Sequence, residues 1–316
     1  MKLHRPGFGV YAKLVSTMVL WGATWVSARV VAQSLTPFPA AFLRFFFASI
    51  FLYALLCRAG AQQGGGWPRL SRAVLPGAAL MAITGVFLYN ALFFSGMKTV
   101  SAGRAAMIVA CVPSAVALYS ALVLRAPTGL VKGLGIALSL FGVSVILSGG
   151  NPVTLVTHGA DTGDLFILGC VVTWAAYTLA GGYAMRQASP LVAVAWSCIL
   201  GCAMLLPPAL ATGLAEQVAA AGWVVWGNLM FLGVAATGLA FIWYLDGIQA
   251  LGAPRASVFI NLVPVFATIM GSAILGEPVG LSLVFGGVMV ISGVVLANRP
   301  AAQTAQAKQA AQAKAE

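Results

Sequence analysis

Ten apolar runs, each long enough to cross a lipid bilayer as a helix, follow one another along this chain of 316 residues. A spanning helix needs about 20 apolar residues, and in hydrocarbon a helix satisfies all of its backbone hydrogen bonds within one segment. Only 7% of the residues are charged, too few to cover the surface of a soluble protein of this size. We therefore predict an all-α polytopic membrane protein with ten transmembrane helices. The runs are Leu14–Ala32, Phe38–Cys57, Leu75–Phe94, Gly103–Leu124, Leu130–Leu147, Leu165–Met185, Pro190–Leu210, Val224–Leu245, Arg255–Leu275 and Val279–Ala297.

The second half of the chain repeats the first at an offset of 151 residues. The offset pairs Ala102 with Ala253, Arg104 with Arg255, Pro113 with Pro264, Leu124 with Leu275, Pro127 with Pro278, Gly135 with Gly286, and Gly142 with Gly293. Each repeat holds five runs, an odd number, so the two repeats enter the membrane in opposite orientations. We expect two inverted five-helix repeats at residues 14–149 and 165–298, as in many transporters. An extracytoplasmic linker at 150–164 joins them, and a cytoplasmic low-complexity tail follows at 299–316.

The distribution of cations predicts the orientation in the membrane. Cytoplasmic loops carry an excess of lysine and arginine. With the N-terminus inside, thirteen of the seventeen cations are cytoplasmic, so we expect both termini in the cytoplasm. These thirteen are Lys2, Arg5, Lys13, Arg58, Arg69, Arg72, Arg125, Lys132, Arg186, Arg255, Arg299, Lys308 and Lys314. The net charge of +11 therefore reflects topology, and we do not expect nucleic acid as a partner.

The stretch from Ala253 to Pro278 begins Ala-Pro-Arg-Ala-Ser-Val-Phe-Ile-Asn-Leu-Val-Pro and ends Leu-Gly-Glu-Pro. It resembles the repeat signature of the EamA family in the drug/metabolite transporter superfamily, and the likeness extends from Leu14 to Ala297. The resemblance implies a ten-helix carrier of the bacterial inner membrane that exports amino acids or other small metabolites. The first repeat departs from the signature, since it reads Leu-Arg-Ala-Pro at 124–127. A role that needs the acid of Leu-Gly-Glu-Pro exists in one repeat only.

Two prolines in the middle of their runs point to the substrate path. Pro113 and Pro264 each remove a backbone donor and bend the helix, and interrupted helices at matching repeat positions are typical of carrier sites. Kinks tolerated for packing are the alternative. Residues near the two prolines are expected on cavity-facing stripes. They are Met107 and Ala110 in the first repeat and Val258 and Asn261 in the second.

Several side chains at membrane depth are further candidates for a central cavity. Arg44 interrupts an apolar run, where it either meets a substrate carboxylate or snorkels to the headgroups. The aromatic residues are either stacking walls for a ligand or packing residues, and the asparagines either face the cavity or bond across helices. The aromatic candidates are Trp21, Trp25, Trp174, Tyr177, Trp243 and Tyr244, and the asparagines are Asn90 and Asn261.

Four charges near helix ends have simpler explanations. Asp246 and Arg255 bracket one cytoplasmic turn, which favours an ion pair between them over a role in proton coupling. Glu277 precedes Pro278 at the start of the last run, where a carboxylate caps that helix, with a proton site as the alternative. Arg104 has no matching acid in this pattern and is free to meet a lipid phosphate or an incoming anion. The linker residues His158, Asp161 and Asp164 are expected in a solvated loop.

The sequence contains no set of residues typical of an enzyme active site. The only histidines, His4 and His158, lie outside the apolar runs, and no Gly-rich phosphate loop precedes a Lys-Ser/Thr pair. We expect no cofactor and no metal, and the partners are a small-molecule substrate and the bilayer. Gly129 and Gly133 form a weak motif for close helix packing, so a second copy of this chain is a further candidate partner. The predicted function is a secondary transporter that works by alternating access. The alternatives are a passive channel and a non-transporting scaffold.

Overall fold

Every regular element that the structure describes is a helix. The computed structural model describes residues 8–62, 70–125 and 129–298. Within these ranges, nine helices have at least 18 residues and enough hydropathy to cross a membrane, and a further apolar helix has 17 residues. The predicted all-helical fold with ten spans is therefore confirmed. We number the spans 1 to 10: Phe8–Ser34, Pro37–Gln62, Leu75–Gly96, Ala102–Leu122, Leu130–Leu147, Thr162–Ala184, Pro190–Ala211, Trp223–Leu251, 253–275 and Leu281–Ala297.

Some sequence predictions fall beyond the described ranges. The tail at 299–316 and Pro127 of the first repeat lie outside the described residues, as do the cations Lys2, Arg5, Arg69, Arg299, Lys308 and Lys314. The linker at 150–164 matches the expected solvated loop only in part, since Asp161 is exposed but other residues are not in an open loop. It holds a short helix, Val153–His158, and Asp164 lies in the first turn of span 6, where it is 2% exposed.

Spans 4 and 9 are interrupted just before their prolines, as predicted. Span 4 consists of a helix at Ala102–Val109 and a second at Val112–Leu122. Span 9 consists of a helix at Ala253–Val258, a 3₁₀ turn and a helix at Leu262–Leu275. Each proline lies in the first turn of the second segment, where its missing N–H costs nothing and its ring excludes a continuous helix from the preceding turn.

Spans 3 and 8 share a feature that the sequence analysis did not anticipate. Each contains a π-helical stretch, at Ala82–Leu88 in span 3 and at Phe231–Leu239 in span 8. The two stretches end at residues that the 151-residue offset pairs, so both repeats have the same irregularity in their third span. Wide turns of this kind leave backbone carbonyls without their usual partners and frequently occur at functional sites.

The described chain forms two compact units. The larger unit comprises residues 1–109 and 160–279, and it contains spans 1 to 3, the first helix of span 4 and spans 6 to 9. Within it, span 3 packs against spans 6 and 7, while span 8 packs against spans 1 and 2. Glycines permit this close approach, since a Cβ at Gly85 would overlap the Tyr177 ring and a Cβ at Gly238 would overlap the Phe51 ring.

The smaller unit comprises residues 110–159 and 280–316, and its main contact joins spans 5 and 10. The spans run antiparallel, because Gly135 at the start of span 5 meets Gly293 and Ala297 near the end of span 10. Gly142 meets Gly286 in the same way. All four glycines are paired by the repeat offset, so an antiparallel pair of equivalent helices is built from one duplicated surface. By contrast, no atom of the described chain lies within 4 Å of a Cβ built at Gly129 or Gly133.

Candidate functional site

A cavity of about 410 Å³ lies within the larger unit, lined by residues of spans 1 to 4 and 6 to 9. Both repeats contribute to its wall. Arg44 is the only charged residue among the described residues that line it, and the others are aromatic, aliphatic or small and neutral. Seven of the residues singled out from the sequence line this cavity: Trp21, Trp25, Arg44, Asn90, Trp174, Tyr177 and Tyr244.

Other predicted site residues lie elsewhere. Ala110 and Pro113 belong to the smaller unit. Met107 and Pro264 are buried and Trp243 is half-buried in the larger unit, and none of the three lines the cavity. Asn261 also does not line it, and its Nδ2 donates to the Val258 carbonyl oxygen of its own span at 3.1 Å.

Residues next to the breaks in spans 4 and 9 nevertheless line the cavity. Val109 is the last residue of the first helix of span 4, and Ile260 lies in the 3₁₀ turn of span 9. Both line the cavity, together with Val263, and the repeat offset pairs Val109 with Ile260. The interrupted helices therefore present equivalent residues of the two repeats to one space.

Two aromatic clusters, each built around one of two matching tryptophans, line the cavity. The Trp21 ring lies 5.1 Å from the Tyr244 ring, and its Nε1 donates to the Ala236 carbonyl oxygen at 3.0 Å. Trp174, which stands at the corresponding place in the second repeat, lies 4.9 Å from the Tyr89 ring and 4.8 Å from the Tyr177 ring. These rings supply broad apolar faces with fixed orientations, which suit a flat or apolar ligand.

Arg44 does not snorkel toward a headgroup; it is held inside the cavity by neutral partners from both repeats. Its Nη1 donates to Asn90 Oδ1 at 3.1 Å, and its Nη2 lies 3.5 Å from Thr237 Oγ1. The guanidinium also faces the rings of Phe45 and Phe93, at 5.3 and 5.8 Å from their centroids. Its Nε is buried and has no hydrogen-bond partner in the part of the chain that the structure describes.

The two partners of Arg44 are themselves fixed by the π-helical stretches. Asn90 Nδ2 donates to the carbonyl oxygens of Gly85 and Val86 at 3.1 and 3.0 Å. Thr237 Oγ1 donates to the Leu232 carbonyl oxygen at 2.8 Å. The carbonyls that the wide turns leave available thus orient the two side chains that hold the arginine. This arrangement fixes one cation in a cavity whose other described lining residues are uncharged.

Asp246 is paired differently from the sequence prediction. Its carboxylate lies 2.6 Å from Lys13 Nζ, whereas Arg255 is exposed and forms no ion pair with any described residue. Span 1 packs along span 8, which brings the two side chains together although they lie 233 residues apart. The pair is about half exposed at both ends, with side-chain exposures of 47% and 41%.

We expect a small energetic coupling between Lys13 and Asp246. An exposed ion pair contributes about 0.2–1 kcal/mol, so Lys13→Ala and Asp246→Ala should each lower the thermal stability only slightly. A double-mutant cycle on the purified protein should give a coupling free energy below about 1 kcal/mol. The matched cycle with Arg255→Ala and Asp246→Ala should give none. A larger coupling to Arg255 than to Lys13 would contradict the observed pairing.

The remaining predictions for charged residues are also corrected. Arg104 is not free, because its Nε and Nη2 donate to the two oxygens of Asp164 at 3.0 and 2.6 Å. Glu277 does cap a helix, but not the last one. Its carboxylate accepts hydrogen bonds from the Ala102 N–H at 2.9 and 2.8 Å, at the start of span 4, and lies 3.9 Å from Arg29 Nε.

Sequence reasoning missed Tyr89, Thr237 and the π-helical stretches. A signal was present, because the dipeptide Thr-Gly occurs at Thr84-Gly85 and again at Thr237-Gly238, at the 153-residue offset that also separates Trp21 from Trp174. Glycine and a hydroxyl side chain are the residues that tolerate a widened turn and rebond its carbonyls. The described residues contain no group of three or more metal-ligating side chains.

Ten apolar spans, eight of which line an aromatic cavity that holds one buried cation, are typical of a multi-pass membrane transport protein. The chain belongs to the EamA-like transporter family, whose profile matches residues 9–148 and 161–299. The match falls in two successive stretches of five spans each, in agreement with the duplication seen in the sequence.

Relatives with similar sequences are also named as transporters. The chain is 29% identical to the "Uncharacterized transporter YyaM" of Bacillus subtilis, over 92% of this chain and 93% of that protein. It is 28% identical to the "Probable terminal-alkyne amino-acid exporter" of Streptantibioticus cattleyicolor, over 90% of this chain and 92% of that protein. A solved crystal structure aligns with a TM-score of 0.60 at 20% identity, over 92% of this chain and 98% of its own, which shows a shared fold.

Proposed function

We propose that this protein is a secondary transporter of the bacterial inner membrane that exports small organic metabolites by alternating access. The observation that carries the proposal is the cavity wall, in which equivalent residues of the two repeats meet. Val109 and Ile260 form one such pair, and Trp21 and Trp174 form another. A site at the junction of inverted repeats is the arrangement from which carriers expose a ligand to either side in turn.

Three further observations support the carrier mechanism, the orientation in the membrane and the export of the substrate. The sequence contains no nucleotide-binding phosphate loop, which favours a carrier over an ATP-driven pump. The excess of cations in alternate loops favours cytoplasmic termini. A relative of similar length is named as an amino-acid exporter, which favours export of small organic compounds.

Thiol labelling at the repeat-matched pair tests the proposal. Val109→Cys and Ile260→Cys are introduced singly into a variant in which Cys57, Cys111, Cys170, Cys198 and Cys202 are replaced. A membrane-impermeant thiol reagent is then applied from each side of sealed vesicles. We expect both positions to be labelled from either side, and labelling to be slowed by at least one compound in a panel of amino acids, organic carboxylates and amines. Ile108→Cys is the matched control, since Ile108 is fully buried beside Val109 and should stay unlabelled.

The alternatives give different patterns. A passive channel would label from both sides without protection by any compound. A scaffold would label from neither side. Labelling of both positions from one side only, in folded protein, would contradict alternating access.

A further inference from the structure

We propose that the cavity selects small organic monocarboxylates with an aromatic or apolar body, and that the Arg44 guanidinium binds the carboxylate. This inference rests on the proposed transport function and specifies its substrate class. It follows from the placement of one cation, from the absence of a compensating acid, and from the nature of the cavity wall.

The geometry of Arg44 fits an anion-binding role. Asn90 and Thr237 hold the two terminal nitrogens with neutral oxygens, so the positive charge is oriented but not neutralised. The buried Nε has no hydrogen-bond partner among the described residues, and each terminal nitrogen carries a second N–H, so N–H donors of the guanidinium remain for a ligand. Guanidinium groups bind carboxylates through two parallel N–H donors, and these charge-assisted bonds are about twice as strong as neutral ones.

The acids that the structure describes do not compensate this charge. None of them lines the cavity. Asp164 is bonded to Arg104, Asp246 to Lys13, and Glu277 to the start of span 4, while Asp161 and Glu216 lie near helix ends. An arginine at membrane depth without a counter-charge is costly, and such a residue is expected to pair with a ligand. An organic anion supplies the missing charge.

The described residues that line the cavity include no anionic partner for an ammonium group. The carbonyl oxygens of Gly85, Val86 and Leu232 already accept hydrogen bonds from Asn90 and Thr237, and that of Ala236 accepts one from Trp21. The remaining wall is mainly aromatic and aliphatic. A positive group would also lie in the same small space as the Arg44 guanidinium, so like-charge repulsion disfavours amines.

The cavity walls determine the size and the apolar character of the organic body that carries the carboxylate. A volume of about 410 Å³ lies at the small end of the range for ligand sites. The rings of Trp21 and Tyr244 on one side, and of Trp174 and Tyr177 on the other, provide apolar faces for stacking. An inorganic anion would use Arg44 but would leave these faces uncovered, so we expect the organic body to contribute to affinity.

A series of isosteric probes on the wild-type protein tests the inference. Binding of phenylpropanoate, phenylpropanamide and phenylpropylamine is measured by the tryptophan fluorescence of the purified protein and by thermal shift. These probes share one body and carry a negative, a neutral and a positive head. We expect phenylpropanoate to bind at least about tenfold more tightly than the amide, and the amine to bind most weakly. Chloride and acetate, as anions without an aromatic body, should compete only weakly.

The result that overturns the inference is an amide or amine that binds as tightly as the carboxylate. Tighter binding of phenylalanine than of phenylpropanoate would also overturn it, because the ammonium group would then be recognised. Binding of none of the probes to folded protein would do the same. Thiol labelling at Val109 and Ile260 separates these outcomes from failure of the transport proposal, since it reports two-sided access whichever head group is preferred.

A substitution then assigns the preference to the arginine. Arg44→Gln should remove the preference for the carboxylate over the amide and leave binding of the amide within about threefold of wild type, and Arg44→Lys should retain part of it. Arg186→Gln, at an exposed position after span 6, is the matched control and should change nothing. A carboxylate preference that survives in folded Arg44→Gln protein would contradict the assignment. The wild-type probe series decides the question if this variant does not fold.

Discussion

Replacing Gly135 with valine is expected to abolish or strongly reduce the yield of folded protein. A Cβ at this position would lie 2.7 Å from the Gly293 carbonyl oxygen and 2.9 Å from the Leu296 carbonyl carbon. Both are backbone atoms of span 10, so no side chain can rotate away to relieve the overlap. Overpacking of this kind costs about 3 kcal/mol, at the upper end of the usual range. Size-exclusion profiles and melting temperatures in one detergent measure the effect.

Gly133→Val supplies the control in the same helix. It introduces the same side chain two residues away, where no atom of the described chain lies within 4 Å of the added Cβ. This variant should be produced and melt like wild type. Equal loss in both variants would mean that valine harms span 5 itself, and an undamaged Gly135→Val protein would refute the close antiparallel contact with span 10.

Asp164→Asn is expected to cause the second large loss of stability. Asp164 is 2% exposed and binds the Arg104 guanidinium at two points, so the amide would deprive a partly buried cation of this carboxylate. Removing one member of a buried ion pair costs about 3–5 kcal/mol. Because the Arg104 side chain is 27% exposed, we expect a loss near the lower bound, measured as a lower melting temperature.

The double variant Arg104→Leu/Asp164→Leu should recover much of that loss, because apolar replacement of both members removes the unpaired charge. Asp161→Asn is the matched single control. Asp161 is exposed, precedes span 6 as its N-cap residue, and makes no capping hydrogen bond with its side chain. A similar loss in Asp161→Asn would show that the charge at this end of span 6 matters generally and that the pair with Arg104 does not.

The parts of the structure that depend on local chemistry could be predicted from the sequence. The hydropathy of each run fixes a spanning helix, because hydrocarbon leaves the backbone no other partner. Pro113 and Pro264 interrupt their helices for a similarly local reason, the missing N–H and the bulk of the ring. The depth of Trp21, Trp174 and Arg44 within their runs brought them into consideration before any packing was known.

The parts that depend on packing between distant segments could not be predicted. Asp246 lies nine residues from Arg255 in the sequence, yet its partner is Lys13, 233 residues away. Arg104 likewise finds its acid 60 residues away. Charges at helix ends can reach several neighbouring spans, and spacing along one chain does not say which span comes nearest. Cavity-facing residues beside the prolines were displaced for the same reason, from Ala110 and Asn261 to Val109 and Ile260.

The charged contacts between spans differ at the two ends of the spans, which bears on the relative free energies of the inward-facing and outward-facing states. For a carrier that works as proposed, perfectly identical inverted repeats would make the inward-facing and outward-facing states equal in free energy. The repeats here differ in their charges. Glu277 and Arg29, with Arg104 and Asp164, join spans 1, 4, 6 and 9 at one end, and position 126 of the first repeat has alanine in place of the glutamate. The opposite end has the exposed pair of Lys13 and Asp246. In such a carrier, these contacts at one end of the spans would contribute to a difference in free energy between the two states.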